Sequence, residues 1–181
     1  MHKIEKPDGF KYKTVKEIIF DTIMLPENVC HPSQMATAFV IAVGQYAGRA
    51  LKDYRHTNIL QPGMLCAPQQ MAVHSLSTAL RNIGGNYISI EDRWWDGNLD
   101  FSVGFRTTVS GPIRSFADRR LLYEISEIPS SEAADPADFP EPIAVIRQQE
   151  CFSCRLSFKH AVNVPLDLVI GLRGILYVPE Q

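Results

Sequence analysis

The spacing of hydrophobic positions changes near residue 85, and the two parts of the chain predict different elements. Residues 11–24, KYKTVKEIIFDTIM, are rich in β-branched and aromatic side chains and fit a strand or a helix, with a strand preferred. Ser33 is a candidate N-cap for a helix over about residues 34–53, where alanine and glycine are dense. A second helix is predicted from about 66 to 83, because apolar side chains recur there at spacings of three, four and seven: Leu65, Ala72, Leu76, Ala79, Leu80 and Ile83.

After the glycine pair at 84–85 the pattern alternates with a period of two. Strands are predicted over residues 87–90, 99–109, 120–128, 143–159 and 166–178. Residues 129–142, PSSEAADPADFPEP, are acidic and proline-rich, which predicts an exposed loop. Two helices followed by a run of antiparallel strands indicate one α+β domain over residues 1–181, with the helices on one face of a sheet.

Composition narrows the classes of partner. The chain has 181 residues, 45% of them hydrophobic, and a formal net charge of −2, so no basic surface for nucleic acid or for an anionic membrane is predicted. The first residues, MHKIEKPDGF, lack the apolar core of a secretory signal, and with four cysteines they predict a cytoplasmic protein with reduced thiols. No phosphate-binding, dinucleotide or serine-nucleophile motif occurs, so no cofactor is predicted.

Cys151 and Cys154 have the spacing of half a zinc site. Residues three apart on a strand point to opposite faces, and no second cysteine pair completes the ligand set. We therefore interpret both cysteines as structural and predict no metal.

The stretch Gln61-Pro62-Gly63-Met64-Leu65 stands directly before the second predicted helix. A Pro-Gly pair turns the chain sharply and leaves backbone N–H groups uncovered at a helix N-terminus, where they polarise carbonyls and bind anions. The same residues also fit an ordinary loop-to-helix junction. Glycine at 63 would permit a close approach that a side chain would block.

Four segments in order resemble one family of enzymes. They are Gly63-Met64-Leu65 with the helix after it, residues 84–89, residues 105–111 and residues 118–125, which together span about residues 56–128. This order is similar to that of the MaoC-like (R)-specific enoyl-CoA hydratase and dehydratase branch of the hot-dog superfamily. The resemblance implies a hot-dog-like fold, in which a curved antiparallel sheet wraps the helix at 66–83, with the Ala/Gly-rich helix as an addition before it.

The resemblance also implies a chemistry and a set of site residues. Glu27 and His31 correspond to the acid/base pair, although their spacing is four where the family usually has five and Glu replaces Asp. The amides of Gly63 and Met64 would hold a thioester carbonyl. The implied substrate is an acyl thioester of coenzyme A or of an acyl carrier protein, and the implied assembly is a homodimer.

Two further residues are candidate substrate contacts. Trp95 would line an acyl pocket or a dimer seam, and Arg114 would meet the phosphates of coenzyme A or of a carrier-protein arm. Each also has a plainer interpretation, as do the acid/base candidates: core packing for Trp95, a solvated turn for Arg114 and a structural histidine for His31. Three functions therefore stay open: a hydratase or dehydratase, a thioesterase of the same fold, and a non-catalytic ligand-binding or assembly subunit.

Overall fold

The computed structural model describes residues 11–25, 35–47, 50–82, 84–88, 97–126, 135–158 and 165–180. These residues form mostly antiparallel strands with one α-helix, which is an α+β composition. The helix is α1, Arg120–Ser126. The strands are β1 Tyr12–Leu25, β2 Met35–Ala38, β3 Tyr46–Ala47, β4 Ala50–Leu51, β5 Gln70–Asn82, β6 Tyr87–Ile88, β7 Gly97–Val103, β8 Arg106–Pro112, β9 Ala144–Ile146, β10 Phe152–Phe158 and β11 Leu166–Pro179.

Two sheets and a small hairpin make up the fold. The first sheet has the order β1-β11-β5-β6, with β9 also paired to β5, and the second has the order β2-β10-β7-β8. Strands β3 and β4 pair only with each other. Long antiparallel pairing fixes the first sheet, since β1 and β11 stay in register from Tyr12↔Pro179 to Leu25↔Leu166. The strand predicted over residues 11–24 is confirmed.

The hydrophobic core lies between the two sheets. Alternate residues of β11, among them Leu168, Ile170 and Leu172, share one buried cluster with Leu99 of β7 and Leu156 of β10. The strands predicted over 99–109, 143–159 and 166–178 are therefore present, the first two each divided by a turn. Within the described ranges, no helix has the length and apolar content needed to cross a bilayer.

The helix predicted over residues 66–83 is wrong, because Gln70–Asn82 within this segment forms β5. A β-bulge explains the misleading spacing: Ser75 pairs with Arg173 and Val73 with Gly174, so His74 is the extra residue. Before the bulge the core-facing residues have odd numbers, and after it they have even numbers. The spacing from Val73 to Leu76 is therefore three, and that from Leu76 to Leu80 is four, as in a helix. Both faces of β5 are also covered, so no polar alternation marks the strand.

The Ala/Gly-rich helix predicted over residues 34–53 is also wrong. Its described residues form β2, a series of turns and the β3–β4 hairpin. Phe39 at φ 68° and Gly44 at φ 80° are incompatible with a right-handed helix. The described alanines and glycines of this segment lie in strands and turns.

The strand predicted over residues 120–128 is α1 in its described part. Asp118 starts the helix, since its side chain accepts the N–H of Arg120 at 3.0 Å. Leu121 packs on Val169, which faces away from the main core, so α1 covers the outer side of the first sheet. The close contact depends on glycine, because a Cβ at Gly171 would lie 2.3 Å from Leu121 Cδ1. The central helix of the expected hot-dog fold was predicted over residues 66–83, where the structure has the strand β5.

The acidic loop predicted over residues 129–142 falls partly outside the described residues. Its described part begins at Asp135 and includes a short 3-10 turn, Pro136–Asp138. Asp135, Pro136 and Ala137 are exposed, as a surface loop requires.

Candidate functional site

The connection from β2 to β5, residues 39–69, is here called the arm. Its described residues bind to each other and to both sheets. Gly63 donates its N–H to the carbonyl oxygen of Phe39 at 2.6 Å, and Phe152 of β10 donates its N–H to the carbonyl of Gly63 at 2.7 Å. Val43 donates to the carbonyl of Ile59 at 2.9 Å. These bonds hold the arm against one end of the second sheet.

Gly63 allows the close approach that the sequence predicted, but to a different partner. Its φ is +64°, and a Cβ there would lie 3.3 Å from the carbonyl oxygen of Phe152. Met64 donates its N–H to the carbonyl of Gln61 at 3.2 Å, closing a tight turn. Both amides proposed for a thioester carbonyl are thus engaged by backbone carbonyls, and the element after them is a strand.

A buried ion pair fastens the arm to β1. Lys52 Nζ lies 2.5 Å from Asp21 Oδ1, with side-chain exposures of 4% and 0%. The other carboxylate oxygen of Asp21 accepts the N–H of Phe39 at 2.6 Å, and Thr22 donates its N–H to Oδ1 at 3.0 Å. Burial raises the pKa of Asp21, and the Lys52 ammonium and the Phe39 N–H oppose that rise. The carboxylate therefore joins three segments of the chain at one buried point.

One cleft, here the end cleft, opens where the arm meets the second sheet. Its volume is about 240 Å³, and Val40, Pro62, Gly63, Gly104 and Phe152 are among its lining residues. The rings of Phe39 and Phe152 pack below it with centroids 5.4 Å apart. Gly104 lies in the β7–β8 turn, and the next residue, Phe105, is fully exposed. The exposed ring of Phe105 thus lies next to a residue of a mainly apolar cleft, whose lining also includes Ser153.

A second cleft, here the side cleft, lies between β1, β11 and the arm. Its volume is about 210 Å³, and its walls include Ile19, Ile59, Leu65 and Leu176. Glu17 contributes a carboxylate to this lining. Desolvation by the surrounding protein raises the pKa of Glu17.

Of the six site residues predicted from the sequence, three lie within the described residues: Gly63, Met64 and Arg114. Glu27, His31 and Trp95 lie outside the described residues. Gly63 lines the end cleft and Met64 lines the side cleft. Arg114 is exposed in a 3-10 turn, Ile113–Phe116, and lines neither cleft.

The cysteine pair occupies two different environments. Cys154 is buried within β10, and burial raises the pKa of its thiol, whereas Cys151 is exposed before the strand. In the part of the chain that the structure describes, no three His, Cys, Asp or Glu side chains come together as metal ligands.

Sequence reasoning missed the charged residues on the core side of β1. Glu17 and Asp21 alternate with Val15, Ile19 and Ile23 on one face of the strand. Two carboxylates within an otherwise apolar stripe were a readable signal, since such positions need cationic partners. The partner of Asp21, Lys52, stands 31 residues away and gave no local signal.

Searches against protein-family models, curated proteins and solved structures gave no match for this chain, so its geometry carries the functional argument.

Proposed function

We infer that this protein is a non-catalytic assembly subunit that pairs with a second copy of itself through the end cleft. The observation that carries the proposal is Phe105, a fully exposed aromatic side chain beside a mainly apolar cleft. Exposed aromatic residues at rigid positions are typical anchors of protein interfaces. Gly104 fixes this position, because it donates its N–H to the carbonyl of Cys151 at 2.7 Å.

The size of the end cleft suits a phenyl ring. A closed apolar cavity of about 150 Å³ accepts benzene, and the end cleft has about 240 Å³. Val40 is 41% exposed and Pro62 is exposed, so the rim continues the apolar surface beyond the depression. A ring that enters the cleft would bury its own apolar area and cover that of the rim.

The placement of Phe105 and the cleft favours a second copy over an unrelated partner. In a two-fold interface the same surface of each copy contacts the other copy. That surface must therefore carry both the projecting side chain and the cleft that binds it. Gly104 lines the cleft and is the neighbour of Phe105, which places both features on one surface. A second exposed apolar group, Tyr46, Leu51 and Tyr54, lines neither cleft and lacks this self-complementarity.

Sedimentation equilibrium of the wild type and of two variants tests the proposal. The wild type should have a mass near twice the 20.3 kDa of one chain at micromolar concentrations. Phe105→Ser should weaken the dimer by about thirtyfold or more, which corresponds to a hot-spot loss of about 2 kcal/mol. Tyr123→Ser is the matched control, because Tyr123 is 68% exposed on α1. A monomeric wild type, or equal dimerisation of both variants, would refute the proposal.

Acyl-thioester hydration or dehydration stays the second proposal, with hydrolysis by a thioesterase as its variant. Its support is the sequence resemblance alone, because the element after Leu65 is a strand and residues 120–126 form a helix. Its acid/base residues, Glu27 and His31, lie outside the described residues. The two proposals differ in one measurable respect, since only the second expects turnover of an acyl thioester.

A further inference from the structure

The core-facing side of β1 carries two carboxylates, Glu17 and Asp21, which differ in the groups that bind them. Val15 and Ile19 on this side are 7% and 6% exposed; Glu17 between them is half-buried, and Asp21 after them is fully buried. A carboxylate in such a place needs a cation or several hydrogen bonds. Asp21 has Lys52 and two backbone N–H groups.

Glu17 has no ion-pair partner among the described residues. It accepts a hydrogen bond from the backbone of Ile18. Its cross-strand neighbour on β11 is Gly174, where the backbone of Ala72 and the side chain of Met71 leave no room for a Cβ, so Gly174 offers Glu17 no side-chain partner. The nearby Arg173 pairs with Asp118 and Glu124 at α1 on the opposite face of the sheet.

Of the two polar amide side chains in the lining of the side cleft, Asn58 and Gln69, the first is engaged with β1. Asn58 accepts the N–H of Phe20 at 2.8 Å and donates to the carbonyl of Ile18 at 2.7 Å. Its amide therefore holds the arm on β1 and leaves the carboxylate of Glu17 as the charged group of the cleft. Ile19, Ile59 and Leu176 form part of the apolar lining, and Gln69 and Cys66 also line the cleft.

We propose that the side cleft binds a small organic cation, a primary ammonium on a short apolar body, with Glu17 as the carboxylate that receives the ammonium. The ligand would supply at Glu17 the charge that Lys52 supplies at Asp21. Its apolar body would lie on the Ile19, Ile59 and Leu176 wall, where it displaces water from hydrophobic surface. At about 210 Å³ the cleft exceeds the roughly 150 Å³ that holds benzene, so an aromatic or six-carbon body fits.

The experiment uses the full chain with methyl-labelled isoleucine and methionine, and phenethylammonium as the probe. The methyl signals of Ile19 and Met64 report on the cleft directly, since both residues line it. The matched neutral probe is 2-phenylethanol, which has the same body without the charge. The variant is Glu17→Gln, which keeps the shape of the side chain, and Glu141→Gln is the control because Glu141 is exposed.

The expected result is a saturable shift of both methyl signals in the wild type and in Glu141→Gln. Glu17→Gln should bind the ammonium about tenfold more weakly or worse, as expected when a charged hydrogen-bond acceptor is lost. The alcohol should bind the wild type more weakly by a similar factor. The proposal fails if the wild type shows no saturable shift, if Glu17→Gln binds like the wild type, or if alcohol and ammonium bind equally. The comparison of the two probes on the wild type keeps the test decisive even where the variant is poorly folded.

Discussion

Lys52 reaches Asp21 across the boundary between the arm and β1, and the two side chains form an ion pair at 2.5 Å that is almost fully buried. Such a pair adds little net stability, because removing both charges from water offsets their attraction. Its effect is on geometry, since one carboxylate also binds the backbone of Phe39 at 2.6 Å. The pair therefore fixes where the arm lies, and with it the shape of both clefts.

Lys52→Met should destabilise the protein by about 3–5 kcal/mol, because it leaves the Asp21 carboxylate buried without its cation. The double variant Asp21→Asn/Lys52→Met should lose less than Lys52→Met alone, since the amide oxygen can still accept the N–H of Phe39. Urea denaturation measures both. Lys13→Met is the control for the loss of an exposed lysine. A double variant as unstable as the single one would show that the buried charge is not the cause.

Glu17 should make stability depend on pH. The pKa of Glu17 is raised above its usual value of 4.5 in the folded state, so the folded state holds its proton more tightly than the unfolded state does. Stability should therefore fall as the pH rises from about 4.5 through the raised pKa, and stay reduced above it. Glu17→Gln removes this loss, so its stability advantage should be absent below about pH 4.5 and complete only above the raised pKa of Glu17.

Thermal unfolding of the wild type, Glu17→Gln and Glu141→Gln across this pH range measures the difference. An advantage of Glu17→Gln that is constant with pH, or that grows in acid, would contradict the assignment.

Gly63→Ala should destabilise the protein more than Gly85→Ala does. Both glycines have positive φ, +64° and +83°, so both variants incur a backbone cost of about 1–2 kcal/mol. At Gly85 a Cβ meets no atom within 4 Å, whereas at Gly63 it meets the carbonyl oxygen of Phe152 at 3.3 Å. Chemical denaturation of the two variants separates the close approach from the φ cost. Equal losses would mean that the contact with Phe152 has no energetic consequence.

His31→Ala tests the acyl-thioester proposal. If His31 transfers a proton during hydration, turnover of trans-2-enoyl thioesters should fall by about 10²–10⁴-fold. Loss of enoyl absorbance measures hydration, and a free-thiol assay run beside it measures hydrolysis. Activity in the thiol assay alone favours the thioesterase. Wild-type protein that is inactive in both assays over a range of chain lengths removes the enzymatic proposals.

Strands β7 and β10 could be predicted from sequence because the positions between their buried residues are polar, which leaves the period of two visible. The segment of β5 could not, because Leu76 and Leu80 face the core while Ala79 faces α1, and the bulge at His74 shifts the phase. The error at α1 has a similar cause: Asp118 starts a helix of only 7 residues, too short to show a period of 3.6.

The candidate site could be predicted only where neighbouring residues in the sequence determine the geometry. Gly63 was recognised as a point of close approach, and the structure shows that approach to the carbonyl of Phe152. The predicted carbonyl was that of a substrate, since sequence alone could not show that Phe39 and Phe152 fold onto the glycine. Phe105 was read as part of one long strand, and its exposure follows from the turn at Gly104.

The most direct test of the account is a disulfide trap across the proposed dimer. Cys151 is exposed and lines the end cleft, so in Phe105→Cys the new thiol of one copy should meet Cys151 of the other. Mild oxidation should then give a covalent dimer on non-reducing gels. Adding Cys151→Ser should abolish it, and Tyr123→Cys, on α1, should not form it. A Phe105→Cys protein that gives neither a covalent dimer nor an intrachain disulfide with the nearby Cys151, or a dimer that persists without Cys151, would contradict the placement of Phe105 in the end cleft of a second copy.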